Sequence, residues 1–76
     1  NNNKVMQVKI IVVEYNLFKP NIQTCLKDGD IELVVNPVKG DKIFIDEEAY
    51  IVLQRDLHLF KDPNKQKMTL FVEKCY

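Results

Sequence analysis

Residues 5–15, VMQVKIIVVEY, restrict the fold of this chain more than any other stretch. β-Branched residues dominate this stretch, and apolar side chains occur on both alternating faces around its centre. Such side chains lose rotamer freedom in a helix but pack well on a pleated sheet. We therefore predict a β-strand that is either buried on two sides or bent across a core.

Turn signals follow this strand. Residues 16–24 are predicted to form a loop that reverses at Pro20 and Asn21, since proline and asparagine favour turns. Asp28-Gly29 predicts a hairpin turn, because glycine adopts positive φ without steric cost.

Ile31, Leu33 and Val35 alternate with Asp30, Glu32 and Val34. This alternation is typical of a half-buried strand. Asn36-Pro37 is predicted to end this strand, since proline cannot donate a ladder hydrogen bond. The Lys-Gly-Asp sequence at 39–41 is predicted to turn the chain into the next strand.

A second hairpin is predicted around residues 46–49. A loop there would close on matched apolar pairs, and such cross-strand pairs stabilise hairpins. The expected pairs are Ile45 with Tyr50, Phe44 with Ile51, and Ile43 with Val52. Glu47-Glu48 suits a two-residue turn poorly, so a longer loop around a type I turn is expected.

Two more strands complete the pattern. Residues 50–60 are predicted to form a long strand with a bend or bulge near 54–56. Its apolar face is predicted to comprise Ile51, Leu53, Leu57 and Leu59. Residues 61–65 form a predicted turn, and 68–75 a last strand. In that strand Met68, Leu70 and Val72 share one face and Phe71 lies on the other.

The fold class that follows is all-β. Five or six short strands in 76 residues favour a small antiparallel meander, closed as an SH3-like barrel or left as a strongly bent sheet. Residues 1–76 are predicted to form a single small domain, and residues 1–5 are interpreted as a tag remnant, a processed end or a linker.

The stretch 40–60 resembles small SH3-like barrel proteins of bacteria and phages. Gly40-Asp41 precedes a strand there, and Tyr50 opens the next one. The resemblance implies a small barrel fold over this stretch. The chain lacks the ALYDY-type run and the tryptophan pair of peptide-binding SH3 domains, so the resemblance does not imply binding of proline-rich peptides.

Three consecutive carboxylates, Asp46, Glu47 and Glu48, precede the single histidine, His58. Ten residues of extended strand separate Glu48 from His58 by roughly 33 Å, more than side chains can bridge. We predict a solvated turn and an exposed histidine, without a metal site or a cofactor. Because serine is absent and the two glycines cannot form a phosphate-binding loop, we also predict that the protein is not an enzyme.

Cys25 and Cys75 leave two alternatives, a disulfide in an exported protein or two buried reduced thiols, of which the second is favoured. The longest apolar run has four residues, so no membrane span is predicted, and a cytoplasmic location is expected. Eleven basic residues balance eleven acidic ones, which disfavours nucleic acid as a partner.

Two groups of residues are candidate contact sites. Leu17 and Phe18 could fold back as a lid on the core or contact a partner protein. Phe60 lies beside three lysines that surround a predicted turn, Lys61, Lys65 and Lys67, an arrangement that single-stranded nucleic-acid binding would use. The function expected is a non-enzymatic module for protein–protein interaction or assembly, with itself or another protein. The alternative is a nucleic-acid-binding small barrel.

Overall fold

The computed structural model describes residues 4–17, 19–33, 36–62 and 65–76. Five β-strands and no helix occur in these ranges, which confirms the all-β prediction. The strands are β1 (Lys4–Asn16), β2 (Lys19–Leu33), β3 (Lys42–Ile45), β4 (Glu48–His58) and β5 (Lys67–Lys74). They form one mixed sheet in the order β2-β1-β5-β4-β3, curled strongly into a half-barrel.

The expectation of a purely antiparallel meander is wrong at the centre of the sheet. β1 and β5 pair in parallel, from Gln7 opposite Lys67 to Val12 opposite Val72. β2 and β3 lie at opposite edges, so the chain between them passes from one edge to the other. That crossing brings β5 back beside β1 in the same direction. Parallel pairing requires such a long connection, which turn signals alone do not reveal.

The first hairpin is longer than the sequence indicates. β2 pairs with β1 from Lys19 to Leu33, so the predicted loop over 16–24 and the Asp28-Gly29 turn are both wrong. Gly29 lies within the strand opposite Val8, and its φ is not positive. β1 offers a ladder of backbone groups along its whole length, which outweighs the local turn preference. Proline is tolerated at position 20 because β2 is an edge strand.

The central hairpin is confirmed, with a register shifted by two residues. Ile45 pairs with Glu48 and Ile43 with Tyr50, around a two-residue turn at Asp46 and Glu47. Both turn residues have positive φ, 49° and 72°, as a primed hairpin turn requires. The longer loop that we expected is therefore wrong. A shift of two residues keeps the same side chains on each face, since the side-chain period in a strand is two.

The core lies on one face of the curled sheet. Alternate residues of β1, β4 and β5 form it: Met6, Val8, Ile10, Val12, Tyr50, Val52, Met68, Leu70 and Val72. Ile31 from β2 and Ile43 and Ile45 from β3 pack against this cluster. The sheet thus covers its own apolar face by curling, and the predicted face of β5 is confirmed.

The predicted face of β4 is wrong, because Ile51 precedes the bulge in this strand and Leu57 follows it, so the two lie on opposite faces. The bulge occurs one residue before the region predicted for it, 54–56. Val52 pairs with Val72 and Gln54 with Phe71, which leaves Leu53 as the extra residue. The buried residues are Tyr50 and Val52 rather than the odd-numbered set. An extra residue exchanges the faces of all residues that follow it.

The segment before β3 continues the pairing of β3 with β4 as far as Val52, next to this bulge. Gly40 N donates to Val52 O (2.8 Å), and Val52 N donates to Asp41 O (2.9 Å). The predicted turn at 39–41 is confirmed: Asp41 N donates to Val38 O (3.0 Å), and Gly40 has φ 94°.

The turn predicted over 61–65 lies partly outside the described residues. Its ends are joined by a hydrogen bond from Lys65 N to Asp62 O (3.1 Å).

Truncation of Leu70 tests the one-sided core. Leu70 is 2% exposed, so Leu70→Ala should lower the free energy of unfolding by about 2–5 kcal/mol through lost burial and a residual cavity. Leu59, at 73% exposure, is the matched control, and Leu59→Ala should change stability by less than about 0.5 kcal/mol. Urea denaturation measures both. Equal effects of the two substitutions would contradict this placement of the core.

Backbone conformation predicts opposite effects at two turns. Glu47 has φ 72°, a conformation that costs a residue with a Cβ about 1–2 kcal/mol, so Glu47→Gly should stabilise the protein by about 0.5–1 kcal/mol. Gly40 has φ 94°, and Gly40→Ala should destabilise it by about 1 kcal/mol or more. Thermal unfolding of both variants measures the two signs. Loss of stability in Glu47→Gly would exclude the primed turn.

Candidate interaction surface

The outer edge of β2 is the longest unpaired strand edge of the described structure. β2 has 15 residues and is outermost on its side, whereas the opposite edge strand, β3, has four. The side chains of residues 21–28 are all exposed. An edge of this kind presents backbone N–H and C=O groups to which another strand can bond.

The middle of this edge lacks two of the usual protections against pairing, charges and prolines, and a bulge occurs only at its end. Proteins protect edge strands with charges, prolines and bulges. β2 carries a proline before residue 21, a bulge at Leu26, and Lys27 and Asp28 directly after it. Residues 21–26, NIQTCL, carry no charge and no proline. We call this segment the edge window. Ile22 and Leu26 within it are 41% and 42% exposed.

A concavity of about 440 Å³ lies beside the edge window, on the sheet face opposite the core. We call it the neutral groove, because none of its described lining residues is charged. The lining residues are Val13, Tyr15, Asn21, Gln23, Leu53, Gln54 and Phe71. Val13 is only 7% exposed although it lies outside the core cluster, so this second face has an apolar floor of its own.

The tip of the first hairpin adjoins the neutral groove. Tyr15 lines the groove at 63% exposure, and Leu17, two residues further on, is 97% exposed. Leu17 therefore does not fold back on the core as a lid. Its role in contacting a partner stays a prediction. Phe18, the other residue of that prediction, lies outside the described residues.

A second concavity, of about 310 Å³, lies towards the other end of the same face. We call it the basic concavity. It brings together Phe60 and Lys67, which the sequence singled out, with Lys9 and His58. Lys61 and Lys65 are exposed but are not among its lining residues. Lys9 was missed because only the parallel pairing of β1 with β5 brings it there, and no local pattern indicates that pairing.

The acidic cluster and the histidine lie at opposite ends of β4. Asp46 and Glu47 form the turn, and Glu48 begins the strand that His58 ends. Glu48 pairs with Lys74 (Oε2 to Nζ, 3.0 Å), and this hydrogen bond and charge raise the pKa of Lys74 above its ordinary value. Within the described residues, no three histidine, cysteine or acidic side chains are grouped so that they could hold a metal ion.

The two cysteines are free thiols. Cys25 is opposite Ile11, which in turn is opposite Phe71, so Cys75 lies two strands away and four residues further along. This corresponds to roughly 10 Å across the sheet and 13 Å along it, whereas disulfide Cα atoms are within about 7 Å. The prediction of two buried thiols is wrong at Cys25, which is exposed, whereas Cys75 is half-buried.

Comparisons of the chain with protein-family models, with curated proteins and with solved structures found no match. Among the residues that the structure describes, no helix has the length and apolarity needed to cross a membrane. The site is therefore interpreted from its own geometry.

Thiol chemistry tests the placement of the cysteines. Under native conditions a maleimide should label Cys25 faster than Cys75, because only Cys25 is exposed. Mild oxidation with diamide should leave no Cys25–Cys75 disulfide within one chain. Peptide mapping by mass spectrometry measures both results, and labelling in denaturant, where the two rates should converge, is the control. An intramolecular disulfide in the native protein would contradict the strand register.

Proposed function

We propose that this protein is a non-enzymatic protein-interaction module that accepts an extended strand of a partner protein on the outer edge of β2. The observation that carries this proposal is the edge window, an exposed and uncharged part of an unpaired edge beside the neutral groove. Addition of a strand to an open sheet edge is an established mode of peptide recognition.

Backbone hydrogen bonds supply affinity in this mode, and side chains on alternate positions supply specificity. Gln23 lies opposite Val13, so every second side chain of an added strand would lie beside the neutral groove. The amides of Asn21, Gln23 and Gln54 can both donate and accept hydrogen bonds. These properties favour a neutral partner segment that mixes apolar and amide or hydroxyl side chains, since a charge would be desolvated there without a counter-charge.

The size of the site favours reversible binding. Six residues of strand extend over about 20 Å, and an interface of this length belongs to the small class below about 1,200 Å². The exposed side chains of Tyr15 and Leu17 would enlarge the contact at one end. A second copy of this chain is one partner with the required chemistry, and a heterologous protein is another.

Two further assignments are proposals of the same kind. The two free thiols support a reducing, cytoplasmic location. The strong curl of the sheet and the central hairpin support a relationship to SH3-like barrels of bacteria or phages. The parallel pairing of β1 with β5 is a departure from the antiparallel meander that we had expected.

A peptide selection tests strand addition. The immobilised full chain is screened against displayed random ten-residue peptides, and the enriched peptides are titrated by NMR. We expect amide shifts concentrated in the edge window. Gln23→Lys should weaken binding by about tenfold or more, because a lysine protects an edge. The matched control is Asn36→Lys, since Asn36 is exposed and lies outside the strands.

Other outcomes would contradict this function. Peptides that shift the amides of β3 would show that binding does not occur at the edge window. Equal affinity of the peptides for Gln23→Lys and Asn36→Lys would show the same. Sedimentation velocity of the unmodified protein measures self-association in parallel. Self-association that survives Gln23→Lys would show that copies of the chain do not pair through the edge window.

A further inference from the structure

The basic concavity is lined by residues of four strands, with Asp28 of β2 opposite Lys9 of β1. Gln7 lies opposite Lys67, and Lys67 lies opposite His58, so these residues form one row across β1, β5 and β4. Lys9 and Thr69 form a row two residues further along. The site therefore lies on the central strands of the sheet, and it shares no residue with the edge window or the neutral groove.

Two lysines of this site lie close together and form no ion pair among the described residues, although a carboxylate, Asp28, is directly opposite one of them, Lys9. Lys9 and Lys67 are diagonal neighbours on adjacent strands, about 7–8 Å apart at the backbone. Neither forms an ion pair within the described part of the chain. Side chains from diagonal positions can reach one ligand, so an anion could bridge the two ammonium groups, and phosphate has the charge and the acceptor oxygens to do so.

The other lining residues add hydrogen-bonding groups and an aromatic surface. Thr69 Oγ1 lies 3.5 Å from His58 Nε2, and either group can bond to a phosphate oxygen. Phe60 is 50% exposed at the site, which leaves ring surface for stacking. Asp28 also lines it. A carboxylate repels bare phosphate, but it accepts hydrogen bonds from the amino or hydroxyl groups of a nucleoside.

We propose that the basic concavity binds one nucleotide unit, with its phosphate between Lys9 and Lys67 and its base on Phe60. The volume of about 310 Å³ is at the lower limit of ligand sites, roughly 300–1,000 Å³, which fits a single unit. A free nucleotide and one unit of a single-stranded nucleic acid share this chemistry. Since the chain has zero net charge, binding depends on these local groups rather than on long-range attraction.

NMR titration of the full chain at low salt tests the site with three probes: inorganic phosphate, adenosine monophosphate and an oligo(dT) of about eight nucleotides, near the site size of small binding domains. We expect amide shifts at Lys9, Lys67 and Thr69 with the two nucleotide probes and weaker binding of phosphate. Equal affinity for both nucleotide probes assigns a free nucleotide as the ligand. Tighter binding of oligo(dT) assigns a single strand.

Matched variants separate the two parts of the site. Lys67→Gln should weaken nucleotide binding by about tenfold, whereas Lys39→Gln, at an exposed lysine outside the strands, should not. Phe60→Ala should weaken nucleotide binding by about 5- to 100-fold and leave phosphate binding unchanged. Unchanged NMR spectra away from each substitution establish that the variants are folded.

The proposal is overturned if neither nucleotide probe shifts the amides of the basic concavity. It is also overturned if Lys67→Gln and Lys39→Gln lose affinity equally, since the lysines would then act only through general charge. The edge-window variant Gln23→Lys should bind nucleotides normally, so failure here is distinguishable from failure of the proposed strand addition.

Discussion

Burial of one sheet face without a second layer is the constraint on which this structure depends. The described residues contain no helix and no second sheet to cover that face, so the sheet must curl over its own side chains. The parallel pairing of β1 with β5 allows the sheet to bury this face. It places the alternating apolar residues of the two most buried strands side by side, including Val8 opposite Met68 and Val12 opposite Val72.

The same constraint leaves two edges open. A half-barrel ends in an unpaired strand on each side, and these are β2 and β3. β3 is short, and its Ile43 and Ile45 pack against the core. β2 is long, and only one of its described side chains, Ile31, packs there. The edge that contributes least to the core is thus the one available to a partner, which is the physical basis of the proposed function.

The two candidate surfaces differ in how far the sequence reveals them. The edge window is visible as six uncharged residues, but the first four of them, 21–24, were interpreted as part of a loop because Pro20 and Asn21 are turn residues in most contexts. Phe60 and Lys67 are near one another in sequence and were identified directly. Lys9 is 58 positions from Lys67 and joins it only through the central pair of strands.

By itself, the sequence determined the all-β class, the strand character of β1, the central hairpin and the buried face of β5. Period-two alternation and β-branched side chains act locally, so a strand and its buried face can be predicted from them without knowledge of the tertiary structure. Tertiary structure alone decided the register of that hairpin, the position of the bulge in β4, the continuity of β2 and the parallel pair. These features depend on which backbone groups meet across the sheet, and that is settled by the joint burial of one face rather than by any local preference.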